Sequence, residues 1–188
     1  FGQAVYDGET TVEGVTARRA ESPDEVLALA RQGKVIPVLV DPAARSVAIL
    51  KPAVLVDGIM AKRNTGTRLD DAPLVIALGP GFTAGVDCHA AIETNRGHWL
   101  ARILYAGSPQ PDTKTPGKVK GYRGGRVIRA PADGYLQPVA QVGGRLRKGD
   151  LVGYVNGHEV RAMFDGVLRG LIHPCAPVTK GLKIGDLD

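Results

Sequence analysis

The residues best suited to chemistry lie in one stretch, Gly79-Pro80-Gly81-Phe82-Thr83-Ala84-Gly85-Val86-Asp87-Cys88-His89. It directly follows an apolar run, Leu74-Val75-Ile76-Ala77-Leu78. A glycine-rich loop after a strand exposes backbone N–H groups that can cradle a phosphate or carboxylate. On that reading Gly79, Gly81, Thr83 and Gly85 hold an anionic ligand. The spacing is neither Walker A nor Gly-x-Gly-x-x-Gly, and a tight turn that needs positive φ accounts for the same glycines. Cys88 beside His89, close to such donors, has surroundings that lower a thiol pKa. A thiolate there could be a nucleophile, a metal ligand or a carrier of sulfur or selenium, with His89 or His98 as general base. The alternative is a small buried cysteine next to a hydrogen-bonded histidine. Neighbouring residues of a strand point to opposite faces, so Cys88 and His89 reach one pocket only from a loop. Cys88, His89, His98 and Asp87 or Glu93 offer zinc-ligand types, but no Cys-x-x-Cys or His-Glu-x-x-His spacing is present, and no metal site is assigned.

Three further residues, Lys62, Arg63 and Asn64, follow the apolar run Val54-Leu55-Val56-Asp57. If the two runs are neighbouring strands, these side chains reach the edge that carries the glycine loop. With Arg96 they could meet a phosphorylated or acidic ligand; a solvated polar loop is the other reading.

The elements that must position these groups read as an α/β domain with a short central sheet. Residues 1–20 suggest a pair of strands with turns at Asp7-Gly8 and Glu13-Gly14. Ser22-Pro23-Asp24-Glu25 opens a helix with an N-cap, a proline at its first position and a capping-box glutamate. Gly33 stops it. Lys34–Asp41 reads as a strand buried on both faces, and Leu100–Tyr105 as another strand. Residues 107–118 have the composition of a linker. The expected division is 1–117 for the α/β domain and 118–188 for the rest.

The chain has 188 residues, 44% of them hydrophobic, so it can bury a core. No apolar stretch is long enough to span a membrane. Cys88 and Cys175 are the two cysteines, too few for a disulfide framework. Cys175, in His173-Pro174-Cys175-Ala176-Pro177, reads as structural. The net charge of +5 is uneven: 12 Lys+Arg against 6 Asp+Glu from residue 118 onward, and 12 against 13 before it. These cations are spaced singly and have few aromatic neighbours, which argues against nucleic acid. They fit a solvated face or a docking face for an acidic protein.

The C-terminal part repeats itself. Arg129-Ala130-Pro131-Ala132-Asp133-Gly134-Tyr135-Leu136 matches Arg161-Ala162-Met163-Phe164-Asp165-Gly166-Val167-Leu168 at an offset of 32 residues. At the same offset Lys148-Gly149 matches Lys180-Gly181, and Gly153 matches Gly185. Two such units in tandem predict an all-β sandwich with internal twofold character, its Asp-Gly and Lys-Gly pairs marking tight turns. The pattern resembles the barrel-sandwich hybrid of biotinyl and lipoyl carrier domains. The corresponding hairpin, Tyr154–Val160, contains no lysine, so no biotin or lipoyl amide can form there. His158 at its tip reads as an exposed turn residue.

Taken together, AVYDGETTVEGVTA, VDGIMAKRNTGT, APLVIALGPGFTAGVDCHAAIETNRGH, RAPADG and VRAMFDGVLRGLIHPCAPVTKGLKIGDLD resemble the YqeB family over nearly the whole chain. The resemblance implies a cytoplasmic accessory protein of selenium-dependent molybdenum hydroxylases. It also implies a further N-terminal segment in family members, which this sequence lacks. The expected function is to bind the molybdenum cofactor or the hydroxylase and assist selenium insertion, the cofactor or selenium being bound cargo. In that scheme Cys88 holds the chalcogen while the glycine loop, Lys62, Arg63, Asn64 and Arg96 hold the cofactor phosphate. Two alternatives stand beside it. One is a non-enzymatic scaffold that docks on the hydroxylase through Arg129, Arg147 or Arg161. The other is a metal-dependent hydrolase or transferase with ligands at Cys88, His89 and His98.

Overall fold

The computed structural model describes residues 1–112 and 126–188. The chain divides into two compact units, Phe1–Thr115 and Pro116–Asp188. Residues 113–118 of the expected linker lie outside the described residues.

The first unit contains two small sheets. In one, β1 (Glu9–Val12) and β2 (Val15–Ala20) form an antiparallel hairpin and β3 (Ile36–Leu39) lies parallel to β2. The hairpin turn is Glu13-Gly14, with φ of 50° and 80°, the two-residue geometry whose twist matches the strands. Residues Ala4–Asp7, expected to be extended, form a helical turn, α1. Gly8, at φ 81°, closes it by donating its N–H to the Ala4 carbonyl.

Helix α2 (Pro23–Gln32) follows the sequence signals closely. The Ser22 hydroxyl accepts the Glu25 N–H at 3.2 Å, and Gly33 ends the helix in the left-handed region. The Glu25 carboxylate turns back to the N–H of Glu21 at 2.9 Å, one residue earlier than a capping box would place it. Strand β3 was expected to be buried on both faces. It is instead a half-exposed edge strand, where Pro37 loses no ladder bond that a neighbour needs.

The second sheet has the order β4-β5-β6-β7, formed by Val54–Asp57, Leu74–Leu78, Ala90–Ile92 and Ile103–Leu104. The first three strands are parallel, and the short β7 closes the sheet antiparallel to β6. A short helix, α3 (Ser46–Leu50), precedes β4. Val75, Ala77 and Ala91 on one sheet face form a buried cluster with Ala72, Phe82, Ala84 and Cys88 from the connecting loops.

The second unit is all β. Its strands are β8 (Val127–Arg129), β9 (Gly134–Pro138), β10 (Arg145–Leu146), β11 (Leu151–Val155), β12 (His158–Arg161), β13 (Gly166–Leu171), β14 (Pro177–Val178) and β15 (Lys183–Leu187). They form two four-stranded antiparallel sheets, β10-β13-β15-β8 and β12-β11-β9-β14. Neither closes into a barrel. A shift of 32 residues carries β8–β11 onto β12–β15 and turns the first sheet order into the second. Each sheet therefore takes two strands from each half. One core, with Leu136, Val152, Leu168, Ile184 and Leu187 at its centre, is shared by both sheets.

The repeated motif interlocks these halves. The Asp165 carboxylate accepts the Lys148 N–H at 2.7 Å, and Asp133 accepts the Lys180 N–H at 2.7 Å. The Arg161 guanidinium donates to the Gly149 carbonyl at 2.7 Å, and Arg129 to the Gly181 carbonyl at 2.8 Å. The Gly149 and Gly181 N–H groups donate to Ala162 and Ala130. Each Arg-Ala-x-x-Asp-Gly segment thus holds the Lys-Gly turn of the opposite half, rather than only shaping a turn of its own. Gly153 and Gly185 sit at β-bulges where a side chain would strike the next strand. An added Cβ would lie 2.5 Å from the Gln137 oxygen and 2.9 Å from the Gly170 oxygen, respectively. His158 is exposed beside the Asn156-Gly157 turn.

Candidate functional site

Parallel strands deliver their ligand-binding loops at their carboxyl ends, and β4, β5 and β6 do so here. The loop after β4 and the glycine loop after β5 touch: a Cβ on Gly81 would lie 2.3 Å from the Arg63 Cα. Gly81 has a φ of 102°, so both its backbone and its lack of a side chain are needed for this approach. The sequence expectation that these two loops share an edge holds.

Much of the glycine loop's backbone is bonded within the protein. Gly79 donates its N–H to Ile92 at 2.9 Å, Ala84 to Gly107 at 2.8 Å and Gly85 to Cys88 at 2.8 Å. The Thr83 N–H goes to the Asp87 carboxylate at 2.8 Å, and its hydroxyl pairs with Ser108 at 2.9 Å. The N–H groups of Gly79, Thr83 and Gly85, three of those expected to cradle an anion, are bonded within the protein. Asn64 is likewise occupied: its carboxamide accepts from Gly66 and Thr67 and donates to the Thr67 carbonyl. Lys62, Arg63 and Arg96 are exposed. Met60 and Lys62 both hold φ near 60°, an uncommon conformation for residues with side chains.

Cys88 and His89 lie in different surroundings. The Cys88 thiol is 0% exposed and belongs to the core of the sheet. Burial pushes its pKa up, and the neighbouring Asp87 carboxylate adds to this. That is the reverse of the thiolate-favouring surroundings expected from the sequence. A thiol without solvent access and held protonated cannot readily attack or receive a chalcogen. His89 faces outward, its Nδ1 accepting the Val75 N–H at 3.0 Å. In the neutral ring this leaves the proton on Nε2.

His89 lines a cleft of about 500 Å³ with Thr67, Arg68, Asp70 and Asp87. The Arg68 guanidinium pairs with Asp70 at 3.1 Å. The cleft therefore offers mixed charge and one imidazole nitrogen. His98 is elsewhere, exposed and edge-on to Trp99 at 4.9 Å, while the Arg102 guanidinium sits 4.3 Å over the same ring. No group of three His, Cys, Asp or Glu that could hold a metal ion occurs among the described residues. The zinc-ligand set Cys88, His89 and His98 is not assembled.

Two buried carboxylates have roles that the sequence reading did not assign, Glu93 having been weighed there only as a zinc ligand. Asp57, 6% exposed at the end of β4, accepts the Ile59 N–H at 3.1 Å and the Thr67 hydroxyl at 2.6 Å. Glu93, 3% exposed at the end of β6, accepts the N–H groups of Asn95 and Gln110, both at 2.7 Å. Each pins the loops beyond its strand. Their position directly after an apolar run was the available signal.

No family model matches the sequence. Over all 188 residues the chain is 52% identical to the uncharacterized protein YqeB of Escherichia coli strain K12. That similarity is to part of YqeB. It spans 35% of that protein's length, about a third of the curated relative it matches. A solved succinylglutamate desuccinylase/aspartoacylase from Rhodobacter sphaeroides aligns over 46% of this chain and 30% of its own, at 20% identity and a TM-score of 0.31. A likeness that low carries no argument. Among the described residues no helix is long and apolar enough to cross a membrane.

Proposed function

We propose that this stretch serves an accessory factor of selenium-dependent molybdenum hydroxylases and acts there by binding, not by carrying chalcogen on a thiol. The family resemblance read from the sequence, above all the long segment around Asp87-Cys88-His89, is what motivates the choice of system. The burial of Cys88 carries the choice of mechanism: a relay needs an accessible, deprotonated sulfur, and Cys88 is neither. The chain would hold the hydroxylase, or the hydroxylase with its anionic cofactor as cargo, while selenium is installed. In that role the all-β unit supplies the docking charge.

Of the three cations first expected to dock, Arg147 is kept and Arg145 joins it. Arg129 and Arg161 brace the interlocked turns, so reversing them tests folding. Arg145 and Arg147 are exposed on the short β10 and the residue after it. Arg147 gives its backbone N–H to Asp150 at 2.7 Å, a bond its side chain does not share. The test is binding of the purified hydroxylase by surface plasmon resonance across a salt series. Arg145→Glu with Arg147→Glu should weaken binding at least tenfold and flatten its salt dependence. Unchanged affinity and salt slope would remove the docking role of this face.

A further inference from the structure

The sheet β4–β7 has one apolar face that its own connections do not cover. Cross-strand register sets the two faces: Val54 lies beside Leu74, Val56 beside Ile76, Leu78 beside Ile92, and Ile92 beside Ile103. Leu55, Val75, Ala77, Ala91 and Leu104 occupy the other side. That second side is buried, because both connections, 58–73 and 79–89, send Ala72, Phe82, Ala84 and Cys88 onto it. Sequential parallel strands linked by crossovers of one hand place their connections on the same face. The first side keeps Val54, Val56, Leu74 and Ile103 between 39% and 54% exposed. The register places no charged side chain on it.

Parallel sheets are normally covered on both faces, and by helices. Here each connection is loop, with a single 3-10 turn at Leu69–Asp71. The matched relative is about three times as long as this stretch. We propose that the face of Val54, Val56, Leu74, Ile76, Leu78 and Ile103 seats an amphipathic helical layer from the polypeptide flanking this stretch in a YqeB-length protein. The flat run of branched aliphatic side chains fits the apolar stripe of such helices. It offers nothing to an acidic ligand.

The test is thiol labelling at one position in two proteins. Val56→Cys is made in the 188-residue chain with Cys175→Ser, cysteine is placed at the aligned position of full-length YqeB, and labelling is followed at that residue by peptide mapping. The expected result is fast maleimide labelling in the short chain and labelling slowed roughly 100-fold or more in YqeB, where it would require local opening. Equal, fast labelling in both overturns the proposal. So does protection that is already present in the monomeric short chain. Protection of the short chain that grows with concentration, together with a dimer in sedimentation, assigns the face to a second copy and also overturns it. Charge placed at the same site gives an independent readout. Val56→Glu should leave the melting of the short chain within about 1 °C, whereas the aligned change should lower that of YqeB by several degrees. Equal effects in both would count against the proposal.

Discussion

The 32-residue repeat makes a quantitative prediction about the interlocked turns. Asp165→Ala removes the carboxylate that accepts the Lys148 N–H, and Asp133→Ala removes its counterpart on Lys180. Each bond is a charged acceptor on one backbone donor, the arrangement of a helix N-cap, where loss costs about 0.5–2 kcal/mol. Both aspartates are exposed, so water replaces part of each bond and a cost of about 1 kcal/mol per site is expected. In a domain of roughly 60–100 residues that lowers Tm by about 4–8 °C. The two bonds share no partner, so the double variant should lose about 2 kcal/mol. Asp165→Asn keeps an acceptor oxygen and should recover most of the loss. Urea and thermal denaturation followed by circular dichroism would measure all four variants. Fluorescence of Trp99, the sole tryptophan, reports the first unit in the same samples. The reasoning fails if either alanine variant melts like the parent. It also fails if Asp133→Ala and Asp165→Ala differ several-fold in cost, because the halves would then not be equivalent.

Other outcomes follow from the same structure. Gly81→Ala and Gly85→Ala both force a side chain into positive φ, at about 1–2 kcal/mol; only Gly81 also meets backbone, at Arg63. Gly81→Ala should therefore be clearly the worse in a melting comparison, and equal losses would contradict the packed loops. In native protein a thiol reagent should titrate the exposed Cys175 at once and Cys88 only on unfolding; two fast thiols would contradict the burial. Arg126, first by its hydrogen bond, and then Arg169 hold the Asp188 carboxyl below its usual range. Its stabilisation is present above the unfolded pKa of about 4 and fades as pH falls through the lower folded value. Asp188→Asn should thus be less stable than the parent at pH 7 and converge with it in acid. Parallel curves would refute the pairing.

How far the sequence could be read varies element by element, for physical reasons. Helix α2 was legible because Ser22, Pro23 and Gly33 encode its ends locally. The two halves of the all-β unit were legible from the repeat itself. The role of Asp133 and Asp165 was not, since their partners lie in the opposite half and only folding joins them. Ala4–Asp7 read as strand because four residues carry no helical period. The glycine loop was located correctly beside Arg63, but the N–H groups of Gly79, Thr83 and Gly85 are bonded to Ile92, Asp87 and Cys88, acceptors that no motif displays. Cys88 and His89 precede β6 in a loop, so strand alternation did not apply to them. Which of them faces the core depended on Phe82 and Ala84 folding over the same side of the sheet.

The central claim is that binding, not the Cys88 thiol, does the work, and one measurement addresses it directly. Activation of a selenium-dependent molybdenum hydroxylase would be assayed with the full-length protein carrying Cys88→Ala, with its melting temperature recorded alongside. The account predicts activation within about twofold of the parent once any loss of folded protein is corrected for. Activation abolished in a protein that melts like its parent would contradict it and restore the thiol to the reaction.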